Sequence, residues 1–241
     1  MKGIWMVWAT TEGIPLPYSP RTDDVITTLL LCCFFVSAYV LSRNRKFLFQ
    51  LMNDFLLHRE RTSIFTVSTA SDMRSLLLLI LQACVLAGMC IFSYSNNSQP
   101  EIVRHIHPSV LMGIYTGVCL SYLFLKWVLY SFLGWIFFDE TKTSLWMESY
   151  FALLYYLGFA LFPFVLFIVY FELSLHFILI IGLILGVFIK ILMLYKWIKL
   201  FCHDLHGYLL LIVYFCALEI MPCFALCQGV LQLNDYLTIK I

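Results

Sequence analysis

Four ionisable residues interrupt long apolar stretches of this 241-residue chain: Lys126, Glu148, Lys190 and Glu219. A charge at mid-bilayer costs at least about 2.5 to 3.5 kcal/mol even on the lenient insertion scale, so each needs a partner. Helical rise puts Glu219 roughly 18 Å into its stretch, near mid-depth, with Lys126 and Lys190 in the inner halves of theirs and Glu148 near an inner end. A lysine stem extends several ångströms, so Glu219 can pair with either Lys126 or Lys190. Such a constellation serves a proton or ion relay through a helical bundle, or a structural ion pair.

Pro222 removes the hydrogen bond to the carbonyl of Leu218, beside Glu219, and Pro163 does the same to Phe159. Both mark helix kinks, read first as packing bends. Cys216, Glu219, Cys223 and Cys227 share one helix face, but the stripe climbs about 16 Å, too far to converge on one ion. His105 with His107, and His203 with His206, sit at expected membrane boundaries and are the residues to examine should a haem be found. No catalytic motif of the serine-triad, zinc-protease or phosphate-loop kind occurs, so no cofactor, no metal and no enzymatic activity are expected.

The elements that position these residues follow from composition. At 62% hydrophobic and 12% charged residues the chain is too apolar for a soluble protein, and its apolar blocks are long enough to cross a bilayer. The fold class expected is all-α, a polytopic transmembrane bundle of about six spans at 25–41, 75–94, 109–138, 145–170, 177–195 and 208–230. Residues 1–24 form an N-terminal tail without signal-peptide organisation, and 25–241 a single domain. Between the first two spans, Phe47 to Leu57 carries apolar residues at helical spacing, predicting an interfacial amphipathic helix anchored by Arg43, Arg45, Lys46, Arg59 and Arg61. Ser95 to Pro100 reads as a polar loop.

Of the lysines and arginines outside the spans, nine fall on one side (Arg43, Arg45, Lys46, Arg59, Arg61, Arg74, Lys142, Lys196, Lys199) and four on the other (Lys2, Arg21, Arg104, Lys240). The richer side belongs to the cytoplasm, which puts both termini outside an inner membrane. A net charge of +1 gives no argument for nucleic acid. Eight of the nine cysteines lie in apolar stretches, where thiols act as small hydrophobes, so no disulfide framework is implied. Gly113 with Gly117, Gly182 with Gly186 and Ala83 with Ala87 have the spacing that lets helix backbones approach, inside the bundle or against another subunit.

The string Tyr214-Phe215-Cys216-Ala217-Leu218-Glu219-Ile220-Met221-Pro222, with Gly158 to Pro163 and Lys126 before it, resembles an uncharacterised polytopic inner-membrane family of the Bacteroidota, a domain of unknown function. The resemblance implies an inner-membrane location and draws attention to Lys126, Pro163, Glu219 and Pro222; it implies no activity. The leading expectation is a non-enzymatic membrane subunit or assembly factor of an envelope complex, partnered by the lipid bilayer and another membrane protein. The rival is a small proton- or ion-coupled transporter using Glu219 with Lys126 or Lys190, and a haem- or metal-binding membrane protein comes third.

Overall fold

The computed structural model describes residues 20–57, 70–100, 102, 106–137, 140–171, 175–201 and 216–239. Among them the ordered elements are all helical: a short 3-10 turn, Pro20–Thr22, then α1 (Asp24–Leu57), α2 (Ala70–Ser98), α3 (Pro108–Phe137), α4 (Glu140–Phe171) and α5 (Leu175–Phe201). A π-helical turn, Cys216–Ile220, runs into an α-helix, Met221–Ile239, and the two together are α6. Helices are what apolar chains of this kind form, because each satisfies its own backbone hydrogen bonds without water. Five are long and apolar enough to cross a membrane: Asp24–Lys46, Arg74–Ser98, Pro108–Ile136, Thr143–Phe171 and His176–Lys196. The expected sixth span begins in residues 208–215, outside the described residues, and its helix continues past 230 to Ile239.

Several boundaries differ from those expected. The first span and the helix after it are one element, α1, bent at Asn44, whose φ of −115° and ψ of 20° leave the helical region. Asp23 starts it by accepting the Val25 N–H at 2.9 Å, a side-chain cap. Past the bend, the Tyr156 hydroxyl of α4 donates to the Leu48 carbonyl at 2.6 Å. Arg43, Arg45 and Lys46 lie exposed around the bend; Arg59 and Arg61 fall outside the described residues. The string from Ser95 to Ser98 is the last turn of α2 and not loop, with the Asn97 amide donating to the Ser93 carbonyl at 3.0 Å. A polar stretch continues a helix when its side chains find partners, and Ser95 is fully buried.

The bundle is organised around α2, of whose apolar window 56% is buried, against 11% for α5. Helix α2 lies against α1, α3 and α4, and the largest core cluster joins Ile26 and Leu30 of α1, Leu86 and Phe92 of α2, Tyr115 of α3 and Val165 of α4. Close approach comes from glycines other than the spaced pairs. A Cβ on Gly158 of α4 would stand 3.2 Å from the Leu79 carbonyl and 3.5 Å from the Ala83 Cβ, and one on Gly88 would stand 2.7 Å from the Thr116 Oγ1. A Cβ at Gly113, Gly117, Gly182 or Gly186 would meet nothing within 4 Å, so of the small-residue pairs it is Ala83 with Ala87 that packs inside the bundle. Pro163 is accommodated within α4 on its exposed side.

Helix α6 is pinned near its C-terminal end by a closed polar ring. The Tyr115 hydroxyl donates to Asn234 Oδ1 at 2.6 Å, Asn234 Nδ2 donates to Ser95 Oγ at 2.8 Å, and Tyr115 and Ser95 hydroxyls stand 2.9 Å apart. All three residues are buried, and each hydroxyl or amide in the ring has a partner. Asn234 stands about 22 Å along α6 from Glu219, so polar contacts hold the helix near both ends.

Candidate functional site

Glu219 sits in the π-helical turn, one residue wider than an α-turn, three residues before Pro222, which has no N–H to continue the α ladder. Its side chain is fully buried and is shared by two lysines from different helices. Lys126 Nζ of α3 lies 2.5 Å from Glu219 Oε2. The Lys190 ammonium of α5 pairs with the same oxygen and also donates to the Glu219 backbone carbonyl at 3.3 Å. Glu219 Oε1 accepts the Tyr130 hydroxyl of α3, and that oxygen in turn accepts from Lys126 at 3.5 Å. The pairing open at the sequence level is therefore both lysines at once.

Aromatic rings enclose the inner cation. Lys126 Nζ stands 5.7, 5.5 and 5.7 Å from the ring centres of Tyr122, Tyr130 and Tyr150, within cation–π range of each. Edge-on contacts of Trp146 and Tyr150 against Tyr130 hold that ring in place. The Lys126 side chain is 2% exposed and that of Lys190 29%, so Lys126 is fixed while Lys190 faces open space. Glu148 does not belong to this group. It lies two residues from both Trp146 and Tyr150, on the other side of α4, near Tyr155.

The open space is a cavity of about 370 Å³, a size typical of small-molecule sites. Lys126, Lys190, Tyr122 and Tyr150 give it its polar lining; the remainder of the described lining is apolar, including Cys84, Cys119 and Leu154, and Gly182 and Gly186 of α5 line it without side chains. Among the described residues the triad sets two ammonium groups against one carboxylate, a formal surplus of one positive charge.

The tyrosines went unnoticed at the sequence level, although Tyr122 and Tyr130 lie four residues either side of Lys126, on one helix face. Of the cysteine stripe, Cys223 is half-buried and Cys227 exposed, while Glu219 is taken by the lysines. Among the described residues no three His, Cys, Asp or Glu side chains gather as metal ligands. His107 is exposed, and His105, His203 and His206 lie outside the described residues.

An all-α bundle with five helices fit to cross a membrane and a lysine–glutamate–lysine triad between three of its helices defines a polytopic membrane-type protein with a buried charged centre. The chain belongs to the family described as Domain of unknown function (DUF4271), which matches residues 26–230 and so takes in the whole triad. No curated protein and no solved structure matches it.

Proposed function

We propose that the protein is a proton-coupled carrier of a bacterial inner membrane, in an organism of the Bacteroidota, with both termini outside, working through Lys126, Glu219 and Lys190. The observation that carries this reading is the surplus ammonium at the head of a cavity. An uncompensated charge away from water is costly, so the triad balances when one lysine gives up its proton or when an anion joins it. Two balanced states that differ by a proton are what a coupled cycle needs. Lys190 is the exchanging group, being the more exposed, while Lys126 is held among three rings. The location rests on the five apolar helices and the family resemblance, the orientation on the bias of basic residues.

Charge movement tests the reading. Proteoliposomes holding the full-length protein, adsorbed on a solid-supported electrode, should give a transient current after a pH step, and Lys190→Met should abolish it at equal protein content. A wild type without any transient would overturn proton coupling.

A second reading, a subunit or assembly factor of a larger envelope complex, is favoured by α5, whose apolar window is only 11% buried, and by the open Gly113 and Gly117 face of α3. Co-purification from native membranes of a stoichiometric partner, lost on substitutions along α5, would support it.

A further inference from the structure

The cavity and the charge it ends on together define a ligand. Its walls, drawn from α2 to α6, are apolar for most of their length, and among the described residues Lys126, Lys190 and the tyrosines are the polar lining, toward one end. Along α5 Lys190 lies eight positions, about 12 Å, beyond Gly182, and along α3 Lys126 lies seven positions, about 10 Å, beyond Cys119, so the space is elongated parallel to the helices. A site of this kind takes a molecule with a long apolar body and a polar group at one tip. The tip must be anionic, because the triad lacks one negative charge, and singly so, because a second charge would recreate the imbalance with the opposite sign.

We infer that the cavity binds a single-chain amphiphile with a monoanionic headgroup, a fatty-acid-like carboxylate, its head on Lys190 and its chain running past Cys119 toward Gly182. The inference rests on the carrier reading and supplies its substrate class. The glycines of α5 explain how such a molecule arrives from lipid. With no side chain at 182 or 186, α5 leaves the cavity wall open there, and a Cβ at either position would meet nothing within 4 Å. The carboxylate completes the charge balance only when both lysines are protonated, so each anion is bound together with one proton. The groups facing Lys190 are Lys126, Tyr122 and Tyr130 from α3, Tyr150 from α4, and Glu219 and Cys223 from α6. Binding that takes up a proton weakens as the pH rises, by at most about tenfold per pH unit.

Binding of tritiated dodecanoate to the purified full-length protein in neutral detergent tests this, with dodecanol as competitor of equal chain length. Unlabelled dodecanoate should displace the label at a concentration at least about tenfold lower than dodecanol. Gly186→Trp, which fills the cavity from a position free of steric contact, should remove saturable binding with an unchanged melting temperature; Gly182→Leu provides the same test should that variant fail to accumulate. Equal competition by acid and alcohol, or full binding by both filled variants, would overturn the assignment. The comparison of acid with alcohol on wild type needs no variant at all. Selective dodecanoate binding without any pH-step current would leave the site in place and remove only the coupling; currents without saturable binding would do the reverse.

Discussion

Removing the carboxylate and removing one lysine should have opposite consequences, because they move the triad's charge in opposite directions. Glu219→Gln leaves the ammonium groups of Lys126 and Lys190 facing each other with no counter-ion, and an amide in place of the acceptor that Lys126 reaches at 2.5 Å. Taking one partner from a buried ion pair costs about 3 to 5 kcal/mol, since the other charge stays behind unpaired. For a chain of this length each kcal/mol moves the melting temperature by about 2 to 4 °C, so the loss should be roughly 6 to 20 °C. Lys190→Met instead leaves Lys126 and Glu219 as a neutral pair, still enclosed by three tyrosine rings, and adds apolar lining to the cavity. Its stability should lie within about 1 kcal/mol of wild type, because burying an apolar side chain where a surplus charge stood offsets the lost contact. Intrinsic tryptophan fluorescence during heating, in one detergent and at one pH, reads both variants. Equal destabilisation by the two would refute the charge-balance argument, and so would an unaltered Glu219→Gln.

Three further outcomes follow from other parts of the bundle. In the ring of Ser95, Tyr115 and Asn234, Asn234→Ala should cost about 1 to 3 kcal/mol by stranding buried hydroxyls, and a cycle with Tyr115→Phe should be non-additive; additive losses in thermal unfolding would mean the ring does not act as a unit. Gly88→Ala forces its Cβ against the Thr116 backbone and should lower the melting temperature, whereas Gly113→Ala, which meets nothing, should leave it unchanged or raised as helix propensity dictates; the reverse order in the same scan would contradict the close approach of α2 and α3. In a cysteine-free background, a membrane-impermeant maleimide applied to whole cells should label a cysteine at position 97 and spare one at position 45; the opposite pattern would invert the orientation.

The level of each charge along its helix was legible in the sequence, and azimuth was not. Hydropathy and the 1.5 Å rise placed Glu219, Lys126 and Lys190 at compatible levels. Which lysine meets the carboxylate depends on how α3, α5 and α6 stand around one another, which no residue spacing encodes, and both do. The π turn at Cys216–Ile220 had a visible signal in Pro222, read only as a bend. The spacing of the small-residue pairs records what a face permits and not what it touches within the chain: Gly113 and Gly182 are open, while Gly88 and Gly158, each alone in its pattern, make the close contacts. The end of α2 was misplaced for a related reason. Ser95 and Asn97 look like loop residues until Tyr115 and Asn234 arrive from helices 20 and 139 residues away to satisfy Ser95.

The central claim is that the triad takes up one proton together with each anion it accepts. Its most direct test is the proton uptake of purified protein in weakly buffered detergent as dodecanoate is added, followed with a pH-indicator dye and taken as the difference between wild type and Lys190→Met. The account predicts a difference of about one proton per bound anion, with affinity falling as pH rises. Saturable binding with no difference in proton uptake would contradict it.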